Sequence, residues 1–212
     1  MPVTRNIRLL AVFNLFTDFR LFAPIAILYF AKVAGSWMLG MGVFSLVFFT
    51  QSVFEVPTGI VSDKYLGRRW TMITGAFASV CSITFYAVAS SASTLFIGAI
   101  CEGLSRSFYS GTDEALLYET LDEVGEENHF AEHHGRVSSM FQFPAFVASL
   151  LGAVAVLHSY KLVMWLSVIP QVFCLIIAWL FVEPARQLKK KDTRLFAHVV
   201  EALALFRSNR RL

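Results

Sequence analysis

Seven ionisable side chains stand in stretches that are otherwise apolar: Asp18, Arg20, Glu55, Glu102, Arg106, Asp113 and Glu114. A charge held away from water is costly unless paired, so such groups mark ion pairs, proton carriers or contacts to a solute. Glu102 and Arg106 are four residues apart and share a helical face, which lets them pair. At 1.5 Å rise per residue, Arg20 lies about 20 Å and Asp18 about 17 Å from the start of the first apolar stretch. The fourth stretch runs the other way, and across a ~30 Å core the same arithmetic puts Glu102 about 18 Å and Arg106 about 12 Å from that same side. Arg20, Glu102 and Arg106 are therefore expected to form one mid-membrane cluster, able to contact a solute or a coupling ion. Asp18 and Arg20, two residues apart, point to nearly opposite faces of a regular helix. Asp18 is the candidate for proton coupling, because a lone carboxylate at low dielectric favours its protonated form. Its alternative is a hydrogen bond to Asn14 one turn back. For the cluster, the alternative is a static network that only lets helices pack, a weak use of buried pairs given their uncertain net stability.

The elements that must position these groups are membrane helices. Hydrophobic residues make up 56% of the 212 positions and charged residues only 16%, and the mean hydropathy is +0.60. That is too apolar for a soluble domain of this size. Six stretches are long enough to cross a bilayer: Ile7 to Ala31, Leu39 to Val61, Trp70 to Ala89, Thr94 to Leu117, Val137 to Leu157 and Leu162 to Val182. The expected fold is an all-α membrane protein of six transmembrane helices. Residues 1–184 form the transmembrane domain and 185–212 a basic amphipathic tail or linker. The first stretch carries Asp18 and Arg20 and no small-residue cleavage pattern, so it reads as retained and not as a signal peptide.

Charge fixes the expected orientation. Arg5, Arg8, Lys64, Arg68, Arg69, Arg136 and the eight cations after the sixth stretch fall on one side, 14 of the 18, against Lys32 and Lys161 on the other. The positive-inside rule then places both termini in the cytoplasm, with a cell-membrane, multi-pass location. The formal net charge of +3 is small and sits in membrane-flanking segments, which argues for lipid headgroups as partners and against nucleic acid. Trp37, Trp70, Trp165 and Trp179 fall near stretch ends, where an indole prefers to sit. Cys81, Cys101 and Cys174 lie inside stretches and read as small buried hydrophobes, not as a disulfide framework.

The turn between the second and third stretches carries the most specific pattern. Gly59, then Asp63 with Lys64 beside it, then Gly67, Arg68 and Arg69, resembles the loop signature of the major facilitator superfamily. The family spacing sets the second glycine three residues after the carboxylate, and here Leu66 makes it four. Glu55-Val56-Pro57-Thr58-Gly59, Arg20 with Pro24, and Ser110 to Tyr118 support the resemblance. It implies one half of a twelve-span, two-half fold, the N-terminal six helices, and hence a secondary active transporter that moves a small solute by alternating access. The second half would come from a missing segment, another chain or a second copy. Ser208 to Leu212 echoes Arg5 to Leu9, as though a second repeat were beginning. The resemblance also implies that the first and fourth spans border the pathway, and that Gly59, Asp63, Lys64, Gly67, Arg68 and Arg69 form a cytoplasmic gate with Glu55, Asp113 and Glu114 at their level. Solvated interface charges that only set topology are the alternative.

Other signals are weaker. His129, His133 and His134 beside Glu132 have helical spacing but no cysteine partner, and no metal or cofactor is expected. Pro144 within Phe141 to Phe146 could kink the fifth span, and Ser149 with Gly152 permits close helix approach. No nucleophile elbow, zinc-protease or phosphate-loop motif occurs, so an intramembrane enzyme is disfavoured. A non-transporting scaffold or a degenerate half is the remaining alternative.

Overall fold

The computed structural model describes residues 2–139 and 142–184, so the tail from residue 185, its echo of the first stretch, and Phe141 lie outside the described residues. The described residues contain helices and no strand: α1 (Pro2–Thr17), α2 (Ala26–Ala34), α3 (Trp37–Val61), α4 (Gly67–Val88), α5 (Ala92–Tyr109), α6 (Thr112–Asp122), α7 (Phe130–Ser139), α8 (Gln142–Ala155) and α9 (Tyr160–Leu180). Trp37–Val88, Glu127–Ala155 and Tyr160–Leu180 are long and apolar enough to cross a membrane, the first of these containing two helices. Phe48, Phe49, Phe143, Phe146 and Val154 are among many large apolar side chains left exposed, a surface that water would penalise and lipid would not.

The first and fourth predicted stretches are each broken. Helix α1 stops at Thr17, and Asp18–Phe22 run as turns into a short 3-10 segment, Ala23–Ile25, before α2 resumes. Pro24 lies just past the break, in the first turn of the 3-10 segment, where a residue without an N–H is tolerated. The carbonyl freed at Thr17 accepts the Arg20 Nε–H at 3.2 Å, and the carbonyl of Phe16 accepts from buried Gln171 Nε2 at 3.4 Å. Non-helical backbone at this depth is tolerated only with such partners. The fourth stretch breaks at Gly111, whose φ of 71° turns α5 into α6.

Buried side chains separate into two apolar clusters. One holds Phe22, Tyr29, Phe30, Val43, Ile83, Leu95 and Met164. The other, at the end that carries the Ser62–Leu66 turn, holds Leu10, Phe13, Met72, Leu116, Leu121, Cys174 and Phe181. Between them in sequence, the helices contribute buried polar residues: Asn14, Thr50, Ser79, Glu102 and Gln171. A polar layer therefore divides the apolar interior, and the break in the first stretch lies in it. The approach of α8 is also set there, since a Cβ on Gly152 would collide with the carbonyl oxygen of Leu21. The partner of the predicted small-residue contact is thus broken backbone, not another helix.

Candidate functional site

The polar layer centres on Glu102. Its Oε1 accepts from Arg20 Nη1 at 2.6 Å, from Arg106 Nη2 at 2.8 Å and from Arg106 Nε at 3.1 Å. Its Oε2 accepts from the Tyr86 hydroxyl at 2.9 Å, and the Tyr29 hydroxyl in turn donates to the Tyr86 carbonyl at 2.7 Å. Side-chain exposure is 9% for Glu102 and 15% for Arg20 but 36% for Arg106, so the cluster is closed on one side and open on the other. The structure thus brings together Arg20, Glu102 and Arg106. Asp18 lies near enough for its charge to act on both arginines. Two carboxylates and two guanidiniums make the group neutral in total. The helical-face argument for Asp18 and Arg20 does not hold, because the helix has ended: the Arg20 N–H bonds the Asp18 carbonyl at 2.8 Å in a tight turn. Nor does Asp18 bond the Asn14 side chain; the link between these residues is backbone, from the Asp18 N–H to the Asn14 carbonyl at 3.4 Å.

A second assembly lies at the Ser62–Leu66 end. These five residues form one π-helical turn in which the Gly67 N–H reaches back to the Ser62 carbonyl. An inserted residue in a helix is accommodated in this way, so the extra Leu66 becomes a wider turn and the chain still delivers Gly67 to the start of α4. Gly67 has φ 78° and leaves no room for a Cβ, which would approach Glu183 Oε1 to 2.6 Å. Glu183 occupies that space and caps α4: Oε1 accepts from the Arg68 N–H at 2.6 Å and Oε2 from the Arg69 N–H at 2.8 Å. Those N–H groups otherwise lack partners, and the carboxylate also meets the positive end of the helix. The Arg68 guanidinium bridges Asp63 at 2.8 Å and Glu119 at 3.0 Å, with Ser62 Oγ at 3.2 Å. Arg69 and Arg5 donate to the last carbonyls of α9, at Trp179 and Leu180. Asn6 clamps Val182 through both its backbone groups. Four elements, α1, α4, α6 and the end of α9, are therefore tied at this end.

The other predicted gate residues sit elsewhere or contribute less. Glu55 accepts a hydrogen bond from Ser110, where α5 breaks. Gly59 has open space around it, so packing does not require a glycine there. Lys64 lies in the π turn. Asp113 and Glu114 occupy the first turn of α6 and line a cavity with Leu10, Asn14, Leu117, His134, Val137 and Ser138. The carboxylates that Arg68 meets are Asp63 and Glu119. Of the histidines, His129 lies 3.5 Å from Glu132 and His134 lies 4.0 Å from Glu114. Among the described residues no three His, Cys, Asp or Glu side chains could hold a metal ion.

A family model described as Major Facilitator Superfamily matches residues 8–212. The chain belongs to that superfamily. No curated protein matches it. Its fold is similar to a peptide transporter POT, solved as a single-residue mutant with sulfate, at 12% identity and a TM-score of 0.65, covering 98% of this chain and 45% of that one. The same transporter with alafosfalin matches at 13% identity and a TM-score of 0.62, covering 96% of this chain and 45% of that one. At these identities the likeness is one of fold. The major facilitator chain described here spans 45% of the length of those transporters. Membership in this superfamily makes the chain part of a multi-pass membrane protein.

Several residues of this major facilitator chain were not marked by sequence pattern. Glu119 reads as one more charge in an acidic connection, and Glu183 as the first residue outside a span. Tyr86 and Gln171 sit in apolar stretches where a hydroxyl or an amide raises no flag. Two consecutive signals were available for Glu183: a lone carboxylate just past the last span, and Gly-Arg-Arg opening a helix with unfilled N–H groups.

Proposed function

We propose that this chain is the N-terminal six-helix half of a secondary active transporter that moves a small solute across the cell membrane by alternating access. The six spans are α1 with α2, α3, α4, α5 with α6, α7 with α8, and α9, with both termini and the Ser62–Leu66 turn on the cytoplasmic side. The observation that carries the reading is the Arg20–Glu102–Arg106 cluster, buried between two apolar layers beside a broken helix. A discontinuous helix exposing backbone and charge near mid-membrane suits a transported species and is a poor choice for mere packing. Asp18 is the proton-coupling group. The cluster with ionised Asp18 is neutral, and protonation leaves it with one net positive charge, a change that a solute or the opposite half can sense. The Asp63–Arg68–Glu119 bridge and the Glu183 cap form the cytoplasmic gate, with Lys64, Gly67 and Arg69 beside them in the chain and Glu55 bonded separately to Ser110. A second six-helix half completes the pathway.

The test is reconstitution of the chain with its second half, or as two copies, into proteoliposomes bearing a proton gradient. A pH-sensitive dye reports solute-dependent proton flux across a solute library. Flux in the parent protein that is lost in Asp18→Asn supports the reading. A correctly folded sample with no gradient-coupled movement of any solute favours a non-transporting scaffold.

A further inference from the structure

The strongest unassigned feature is the cavity of about 200 Å³ between α1, α6 and α7. By the volume of liquid water it has room for about six molecules. Its polar wall is Asn14, Asp113, Glu114, His134 and Ser138, and its apolar wall is Leu10, Leu117 and Val137. Asn14 is only 4% exposed, yet among the described residues its side-chain amide makes no hydrogen bond. A buried amide without a partner is costly, and one that faces a polar cavity is satisfied by whatever occupies it. Two carboxylates share that wall, and no lysine or arginine among the described residues lines it. Glu114 stands 4.0 Å from His134, which also faces Ser138 at 3.4 Å. The negative charge is thus presented to the cavity with little compensation.

We propose that this cavity is a binding site for a small primary alkylammonium ion, its –NH3⁺ group donating to Glu114, Asp113 and the Asn14 carbonyl oxygen. The charge and donor chemistry fit, since an ammonium offers three N–H groups and needs only acceptors. The short alkyl chain lies against Leu10, Leu117 and Val137. A chelated metal is a poor fit, because these side chains do not form a three-ligand set. The site is separate from the Arg20–Glu102–Arg106 cluster and does not rest on the transport reading.

The test uses the full chain in lipid nanodiscs and butylammonium chloride as the probe, followed by isothermal titration calorimetry at constant ionic strength. Saturable binding is expected, about tenfold weaker in Glu114→Gln and in Asp113→Asn, the size of one charge-assisted hydrogen bond. Asn14→Leu should weaken it as well, and Glu126→Gln should leave it unchanged. The side chain of Glu114 is 59% exposed, so its substitution keeps the fold, and circular dichroism verifies this for each variant. No saturable binding to the parent chain overturns the proposal. So does equal affinity in Glu114→Gln and Asn14→Leu to that of the parent, or displacement of butylammonium by Mg²⁺ at equal concentration.

Discussion

Replacing Glu183 by Ala should open the start of α4. The carboxylate holds the Arg68 and Arg69 amide groups at 2.6 and 2.8 Å, and Ala leaves both without an acceptor. A hydrogen bond to a charged group is worth about 1.5–3 kcal/mol, and loss of a helix cap costs about 1 kcal/mol. One half-buried carboxylate serves both donors and water can reach part of the vacated space, so the bonds do not add in full. A local cost of about 2 kcal/mol is the result, which corresponds to about 30-fold faster exchange of those amides. Glu183→Gln keeps one carbonyl acceptor and should show about half the energy. The assay is hydrogen–deuterium exchange with mass spectrometry in nanodiscs, read on peptides covering residues 62–72. The pH dependence provides a second check. Burial pushes the Glu183 carboxyl up, with the Arg69 and Arg68 N–H groups opposing it. The folded chain therefore keeps this proton to higher pH than the unfolded chain, whose value is about 4.3. The contribution of the group is complete below that unfolded value and is lost as pH rises through the folded one. The stability gap between the parent and Glu183→Ala should narrow across that window. Unchanged exchange at Arg68 and Arg69 would refute the capping argument, and a gap that widens with rising pH would refute burial as the dominant influence on this carboxyl.

Other substitutions probe the remaining sites. Glu102→Gln and Arg20→Ala should each impair transport by the complete protein more than Glu126→Gln does, because removing one partner leaves charges buried without compensation, a cost of about 3–5 kcal/mol; equal transport rates for all three would remove the cluster as a site. Gly152→Ala forces a methyl group against the Leu21 carbonyl, and overpacking of this kind costs about 1–3 kcal/mol, so its unfolding midpoint in detergent should fall; an unchanged midpoint means α8 does not press on the broken segment. Asp63→Asn removes one partner of Arg68 in a pair whose aspartate is 40% exposed. Exposed pairs are worth about 0–1 kcal/mol, so thermal stability should barely move, while thiol labelling of cysteines placed at the inner ends of α3 and α6 should change if the pair closes a gate.

What could be read from the sequence follows from which physical rules are local. Apolar length marks a membrane helix within its own residues, so α3, α4 and α9 fall close to the stretches expected for them. The pairing of Glu102 with Arg106 needs only helical spacing, and their meeting with Arg20 needs only depth along antiparallel spans. The three side chains do meet, although the first stretch is broken. The same break removes the basis for setting Asp18 and Arg20 on opposite faces, since facing directions are meaningful only while the 3.6-residue turn continues. Pro24 marks that an interruption is near, but a proline in a membrane helix is commonly accommodated as a kink, and the side chain that meets the carbonyls of Phe16 and Thr17, Gln171, comes from α9 and is not a local signal. The partners of Arg68 were unreadable for a related reason. Asp113 and Glu114 stand at the depth of the loop, but Gly111 turns α6 into a new direction, so Glu119, further along α6, meets the guanidinium. Depth is set by counting residues; azimuth is set by breaks and turns, and the present chain places its charges at those breaks.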